Sequence, residues 1–111
     1  MEKEFHTIEI KEVLGGDVVR LDFRWKLEKG KIKEFAINLG LLEGEKSIDV
    51  FRADTAHGYL HEQRFWISPK PKSLELFDSD FNTAFIEKKR EVFENYERWL
   101  RLFKEARKRM K

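Results

Sequence analysis

The stretch DTAHGYLH holds the side chains best suited to chemistry in this chain: Asp54, His57 and His61. Two imidazoles four residues apart can trade protons near neutral pH, where histidine alone titrates without help. With Arg64 or Arg52 to stabilise charge developing on a phosphate, such a set suits metal-independent RNA cleavage. It supplies a base for the ribose hydroxyl, an acid for the leaving oxygen, and a cation. The same imidazoles with the Asp54 carboxylate would form a three-ligand metal set with an open position. Their H-x-x-x-H spacing is that of the zinc-protease pair, but that pair needs a helix and a Glu directly after the first His. Here Gly58 follows His57 and the flanks read as strands, so the protease reading fails. No metal and no cofactor is assigned. A third reading needs no chemistry: Gly58 makes a turn, Asp54 bonds its backbone amides, and the histidines pack at a sheet edge.

The flanking elements decide where these groups point. Residues 18–27 alternate strictly, with Val19, Leu21, Phe23, Trp25 and Leu27 on one side and Arg20, Asp22, Arg24 and Lys26 on the other. One face is then buried and one is wet. Residues 5–14 read as an earlier strand with His6, Ile8 and Ile10 on one side, ended by the turn signal GGD at 15–17. Residues 32–41 repeat the alternation with Phe35, Ile37, Leu39 and Leu41. Residues 47–54 form a fourth strand, with Ile48 and Val50 opposite Phe51 and Ala53, and residues 62–67 a fifth. Short connections imply an antiparallel meander. Both prolines fall in SPKPKS, residues 68–73, which reads as the break from sheet to helix.

Asp78, Ser79 or Asp80 can cap the helix that follows. Phe85, Val92, Tyr96, Trp99, Phe103, Ala106 and Met110 recur at helical spacing, and Glu94–Arg98, Glu97–Arg101 and Glu105–Arg109 are favourable pairs. The chain therefore reads as one α+β domain over residues 1–111. A five-stranded antiparallel meander (about 5–67) carries one long C-terminal helix (about 80–110) on one face. The helix is long for such a sheet, so its last turns should overhang and form a homodimer contact.

Composition bounds the rest. Of 111 residues, 41% are hydrophobic, including ten Phe and three Trp, which provides an aromatic core. Charged residues make up 40%, yet the net charge is only +2, so the charges are interleaved and the chain is not of the disordered kind. Cys is absent, which excludes disulfides, thiolate metal sites and a Cys nucleophile. One Gln and three Asn beside abundant Lys, Glu and Arg fit a thermophilic source. No apolar run is long enough for a membrane span, and the N-terminus MEKEFHTIEI is not a signal peptide, so the expected location is the cytoplasm. Phosphate-loop, dinucleotide and serine-hydrolase motifs are missing.

Two basic groups could meet RNA. Arg98, Arg101, Lys104, Arg107, Lys108, Arg109 and Lys111 crowd the end of the helix against Glu105 alone. Cations there also complement the helix dipole, which needs no ligand. Arg20 and Arg24 on the wet face of the second strand would join Arg52 if that face were continuous with the histidine loop. Asp22 between them favours a plain solvated face.

The stretch VFRADTAHGYLH, followed by REVFENYERWLRLF, resembles small, largely uncharacterised archaeal and bacterial proteins with a DTAHG or DNAH signature after a strand. That group is similar in appearance to TumE-type toxins of toxin–antitoxin modules. The resemblance covers about residues 18–103, its specific part being Arg52, Asp54, Ala56, His57, Gly58 and His61. It implies a small protein with a sheet and one helix, directed at RNA or bound to an antitoxin partner. The toxin-like pattern often has H-x-H at its second position, whereas Glu62 and Gln63 follow His61, which weakens a catalytic role. The leading expectation is a toxin–antitoxin-like protein that binds or cleaves RNA through Asp54, His57, His61 and Arg64, aided by Arg20, Arg24, Arg52, Arg101, Lys104 and Lys108. The alternatives are a non-catalytic homodimeric interaction module and a small metal-binding protein.

Overall fold

Alternation along the strands and a 3.6-residue period along the last third of the chain produce, among the described residues, a six-stranded antiparallel sheet under one helix. The computed structural model describes residues 2–56, 58–67 and 80–109, with the backbone of 72–73. Strands β1 (Glu2–Glu12), β2 (Val18–Glu28), β3 (Lys31–Glu43), β4 (Lys46–Asp54), β5 (His61–Arg64) and β6 (Lys72–Ser73) follow one another across the sheet in chain order. Helix α1 runs from Phe81 to Arg109. Lys29 and Gly30 both have positive φ (54° and 78°), the backbone that a two-residue hairpin turn requires between β2 and β3.

Register assigns the two faces. Phe5 lies opposite Trp25, and Trp25 opposite Phe35, so these rings share the helix side. Val19, Leu21, Phe23, Ile37, Leu39, Val50, Phe51 and Ala53 are fully buried there. His6, Ile8 and Ile10 fall opposite Arg24, Asp22 and Arg20, on the other side.

Strict alternation puts Ile48 and Val50 on the face opposite Phe51 and Ala53, but the strand does not alternate strictly. The β3–β4 register shifts between Leu39/Phe51 and Gly40/Asp49, leaving Val50 as an extra residue. The bulge turns Ile48 back to the face of Leu41, so both sets meet the core. A Cβ at Gly40, beside this bulge, would meet Ser47 Oγ, so a larger residue there would need that side chain to turn away.

The fifth strand is shorter than residues 62–67. The Ile67 N–H donates to the Arg64 carbonyl (3.0 Å), which curls the chain into a turn and brings Trp66 to Trp99 (5.6 Å between centroids). Within the expected break at 68–73, Lys72 and Ser73 pair with Glu62 and His61 as β6. Unlike the prolines before them, these two residues keep their N–H donors. Residues 68–71, and the candidate caps Asp78 and Ser79, lie outside the described residues, as does Met110. Asp80 caps α1, its carboxylate accepting from the Thr83 N–H (2.8 Å).

The helix lies along β3 and β4, burying Ala84, Phe85, Val92, Trp99, Leu100 and Phe103. Trp99 stacks on Phe51 at 4.5 Å and Phe23 on Phe93 at 5.4 Å. At 1.5 Å per residue α1 is about 43 Å long, and β3, with 13 residues, is about the same length at 3.3 Å per residue. The helix is therefore not long for its sheet, and the stripe from Phe85 to Phe103 packs on the chain's own strands. Lys104 to Asp17 (2.5 Å) and Arg107 to Glu43 (2.7 Å) tie its last turns to the β1–β2 and β3–β4 ends.

The helix-free sheet face as a candidate binding surface

The face turned away from α1 carries most of the residues singled out in the sequence. Cross-strand register lines them up in rows. His6, Arg24, Ala36, Asp54 and His61 form one row from β1 to β5. Ile8, Asp22, Asn38, Arg52 and Gln63 form the next, and Ile10, Arg20, Gly40 and Asp49 the third. The wet face of β2 is thus continuous with the strand ends that hold the DTAHGYLH loop.

Small residues shape the floor. Ala36 and Gly40 on β3 leave a basin of about 300 Å³, walled by Arg20, Arg24, Arg52, Asp22 and Asp49. A second hollow of about 230 Å³ continues past Arg24 and Arg52 to Asp54 and Ala56. Asp22 is the hub: His6 Nε2 lies 2.7 Å from it, Arg20 Nη2 3.2 Å and Arg24 Nε 3.7 Å. Arg52 Nε donates to Asp54 at 3.1 Å. Asn38 Nδ2 donates to Asp49 at 3.5 Å. His6, Asp22, Asn38 and Asp49 were missed as site residues; Asp22 shares its strand's parity with Arg20 and Arg24, whereas Asp49 is out of step with Arg52 and reaches this face only through the bulge at Val50.

The loop that follows is braced from behind. Thr55, buried, accepts from the Phe35 N–H at 2.9 Å while its own N–H donates to the Phe35 carbonyl at 3.1 Å. The Asp54 carboxylate accepts from the Ala56 N–H (3.2 Å), and the Gly58 N–H closes a turn onto the Thr55 carbonyl (3.0 Å). Gly58 has φ 85°, a conformation that costs glycine little. His57 lies outside the described residues. The ring of His61 stacks near Tyr59, with centroids 4.0 Å apart.

The structure separates Arg64 from this group. Arg64 lies opposite Phe51, on the helix side, and its guanidinium sits 5.1 Å over the Trp99 ring. There it donates to Glu62 at 2.8 Å and Glu91 at 3.4 Å, while Lys88 donates to Glu62 at 2.7 Å. Burial pushes the Glu62 carboxyl up, but the hydrogen bonds and charges of Arg64 and Lys88 outweigh it and hold the pKa below the ordinary 4.5. This is a structural network packed under the helix.

The helix cations stand apart as well. Arg101, Lys104 and Lys108 line a groove of about 810 Å³ between α1 and the β1–β2 turn, with Val13, Leu14 and Tyr96. That groove is on the opposite side of the sheet from Arg20, Arg24 and Arg52. Its four cations, Arg98 included, are matched by Asp17, Glu94, Glu97 and Glu105.

These distances limit the chemistry. His6 and His61 end a row four strand spacings long, about 19 Å, too far to serve one phosphate. No group of three His, Asp or Glu side chains among the described residues is placed to hold a metal. No helix among them is long and apolar enough to cross a membrane. What the face offers is forked arginine donors beside carboxylate and amide acceptors around a shallow basin.

No curated protein matches the chain, and no solved structure matches it. The comparisons support the uncharacterised-family part of the resemblance and show no likeness to TumE-type toxins. Residues 2–109 match the model of a domain of unknown function, DUF7718, and the chain belongs to that family.

Proposed function

We propose that the chain is a non-catalytic recognition module that engages a partner protein through the helix-free face. One observation carries this reading: the arginines around the basin stand beside acids of the same face, with Asp22 against Arg20 and Arg24 and Asp54 against Arg52. Such a face offers donors and acceptors in fixed positions to a surface that has both. Arginine is enriched at protein interfaces, where its planar fork anchors carboxylates and carbonyls. A polyanion gains most from uncompensated cations that release its counterions. Its phosphates would have to displace Asp22 and Asp54 here.

A second reading is RNA binding by the same face, in a toxin–antitoxin-like role. Arg20, Arg24, Arg52 and Asn38 lining one open surface favour it. As a ribonuclease, the site would act through His57, His61 and Asp54 without Arg64, which lies across the sheet. A cytoplasmic location and a thermophilic source accompany either reading as expectations.

The test compares wild type with Arg24→Glu/Arg52→Glu and with Arg101→Glu/Lys108→Glu. Each immobilised protein is offered soluble extract of the source organism and, separately, labelled single-stranded RNA. The expected result is a protein captured by wild type and by the helix variant, and lost from the sheet variant. RNA binding with a steep salt dependence, lost in the sheet variant, would overturn the protein reading for the RNA one. Cleavage of that RNA by wild type, absent in His57→Ala, would make the chain an enzyme.

A further inference from the structure

The sheet has two very different edges. β6 ends it on one side with two residues, whereas β1 ends it on the other with eleven. β1 runs against β2 from Glu2 to Glu12 with no register shift, and it contains no proline. Among the described residues no strand pairs with its outer side. Natural sheets blunt such an edge with bulges, prolines, short strands or charged side chains, and of these β1 has only the charges, Lys3, Lys11 and four Glu. Ile8 and Ile10 are 44% and 56% exposed, on a face otherwise rich in charge.

We propose that β1 pairs with β1 of a second copy, antiparallel about a two-fold axis, with Ile8 opposite Ile8. A two-fold axis perpendicular to the sheet keeps each face on its own side, so the register must pair residues of equal parity. With Ile8 on the axis, Phe5 meets Lys11, Thr7 meets Glu9, and His6 meets Ile10, each pair occurring twice. The four isoleucines then lie together across the seam. Only Glu4 and Glu12, at the strand ends, meet as like charges. An axis on Thr7 sets Lys3 against Lys11 and Glu2 against Glu12. An axis on Glu9 sets that carboxylate against itself, and an axis on His6 sets Ile8 and Ile10 against Glu4 and Glu2. Axes on Phe5 and Ile10 also avoid like charges, but they pair only residues 2–8 and 8–12 of β1, whereas an axis on Ile8 pairs 4–12; among the longer registers β1 is most self-complementary about Ile8.

The paired sheet would hold twelve strands. Its two polar basins would open on the same side, about 24 Å apart by strand spacing. The pairing is independent of what the basins bind, and either proposal survives failure of the other.

The chain has no cysteine, so single thiols report the register directly. Residues facing each other across an antiparallel pair are about 4.5–5.5 Å apart at Cα, within disulfide reach. Ile8→Cys is expected to form a covalent dimer under mild oxidation. Ile10→Cys, four residues from its own copy in this register, and Ile86→Cys on the helix form no covalent dimer. Sedimentation of wild type should show a dimer that dissociates in Ile8→Lys/Ile10→Lys, with an unchanged circular dichroism spectrum. A wild type monomeric across a concentration series overturns the proposal. So does a dimer untouched by the lysine pair, and preferential cross-linking of Ile10→Cys overturns the register.

Discussion

Each face of the sheet carries a few residues that belong by type to the other. The helix side is apolar, yet it holds Glu62, Arg64, Lys88 and Glu91. The open side is charged, yet it holds Ile8 and Ile10. The two exceptions are handled differently. Under the helix the charges are paired within a closed network, because an unpaired ion away from water costs several kcal/mol. On the open side the isoleucines sit at the edge strand, where water still reaches them and a second strand could cover them. Charge inside must be settled by the fold itself, whereas an apolar group outside can wait for a partner.

The largest effect should come from removing the ring that joins sheet to helix. Phe51 is fully buried and stacked on Trp99 at 4.5 Å. Phe51→Ala is expected to cost about 3–5 kcal/mol, read as a fall in the urea midpoint. A loss of about 0.5 kcal/mol or less, the size of a surface change, would mean the helix does not depend on this contact.

Next comes the covered network. Glu62→Ala leaves both Lys88 (3.3 Å) and Arg64 (3.4 Å) with Glu91 alone. Both cations reach some water, so we expect about 2–3 kcal/mol, below the range for fully buried pairs. Glu62→Leu with Lys88→Met should recover most of it. The pH dependence has a definite sign. The folded carboxyl titrates below its ordinary 4.5, so its contribution is present above that value and is lost as pH falls through the lower folded value. Denaturation of wild type and Glu62→Gln should differ at neutral pH and converge in acid. A gap that widened in acid would contradict the network.

The open-face hub should matter less for stability. Asp22 meets two arginines and the His6 ring, and all three reach solvent. Asp22→Ala is expected to cost about 0.5–1 kcal/mol, with the difference shrinking in high salt. A loss as large as that of Glu62→Ala would erase the contrast between the faces. Partner capture should fall in this variant all the same, since Arg20 and Arg24 lose the carboxylate that orients them.

Legibility followed the same division. The alternation of β2 was readable because one side of it is wholly buried and the other wet. The period of α1 was readable for the same reason. The side taken by β1 was not, because both of its faces mix polar and apolar residues, and only the Phe5–Trp25 register settles it. The bulge at Val50 was hidden because two adjacent apolar residues fit a strand either way. Arg64 was grouped with His61 by chemistry, although one strand cannot send residues of opposite parity to the same face. The Glu62–Lys88 pair spans 26 residues and leaves no local pattern. His61, Asp54, Arg52, Arg24 and Arg20 could be placed together only once the rows were known.

The smallest expected effect is the most telling. In a lone chain, Ile8→Thr on the open face should change stability by no more than about 0.5 kcal/mol, because the side chain is already half in water and threonine suits a strand. The measurement is a denaturation midpoint taken at two protein concentrations. At low concentration wild type and variant should coincide. At high concentration wild type alone should gain, since pairing binds the folded state and stabilises it by mass action. Equal midpoints at both concentrations would leave Ile8 an ordinary exposed residue. A difference already present at low concentration would mean that Ile8 is packed within its own chain, and the contrast between the two faces would have to be redrawn.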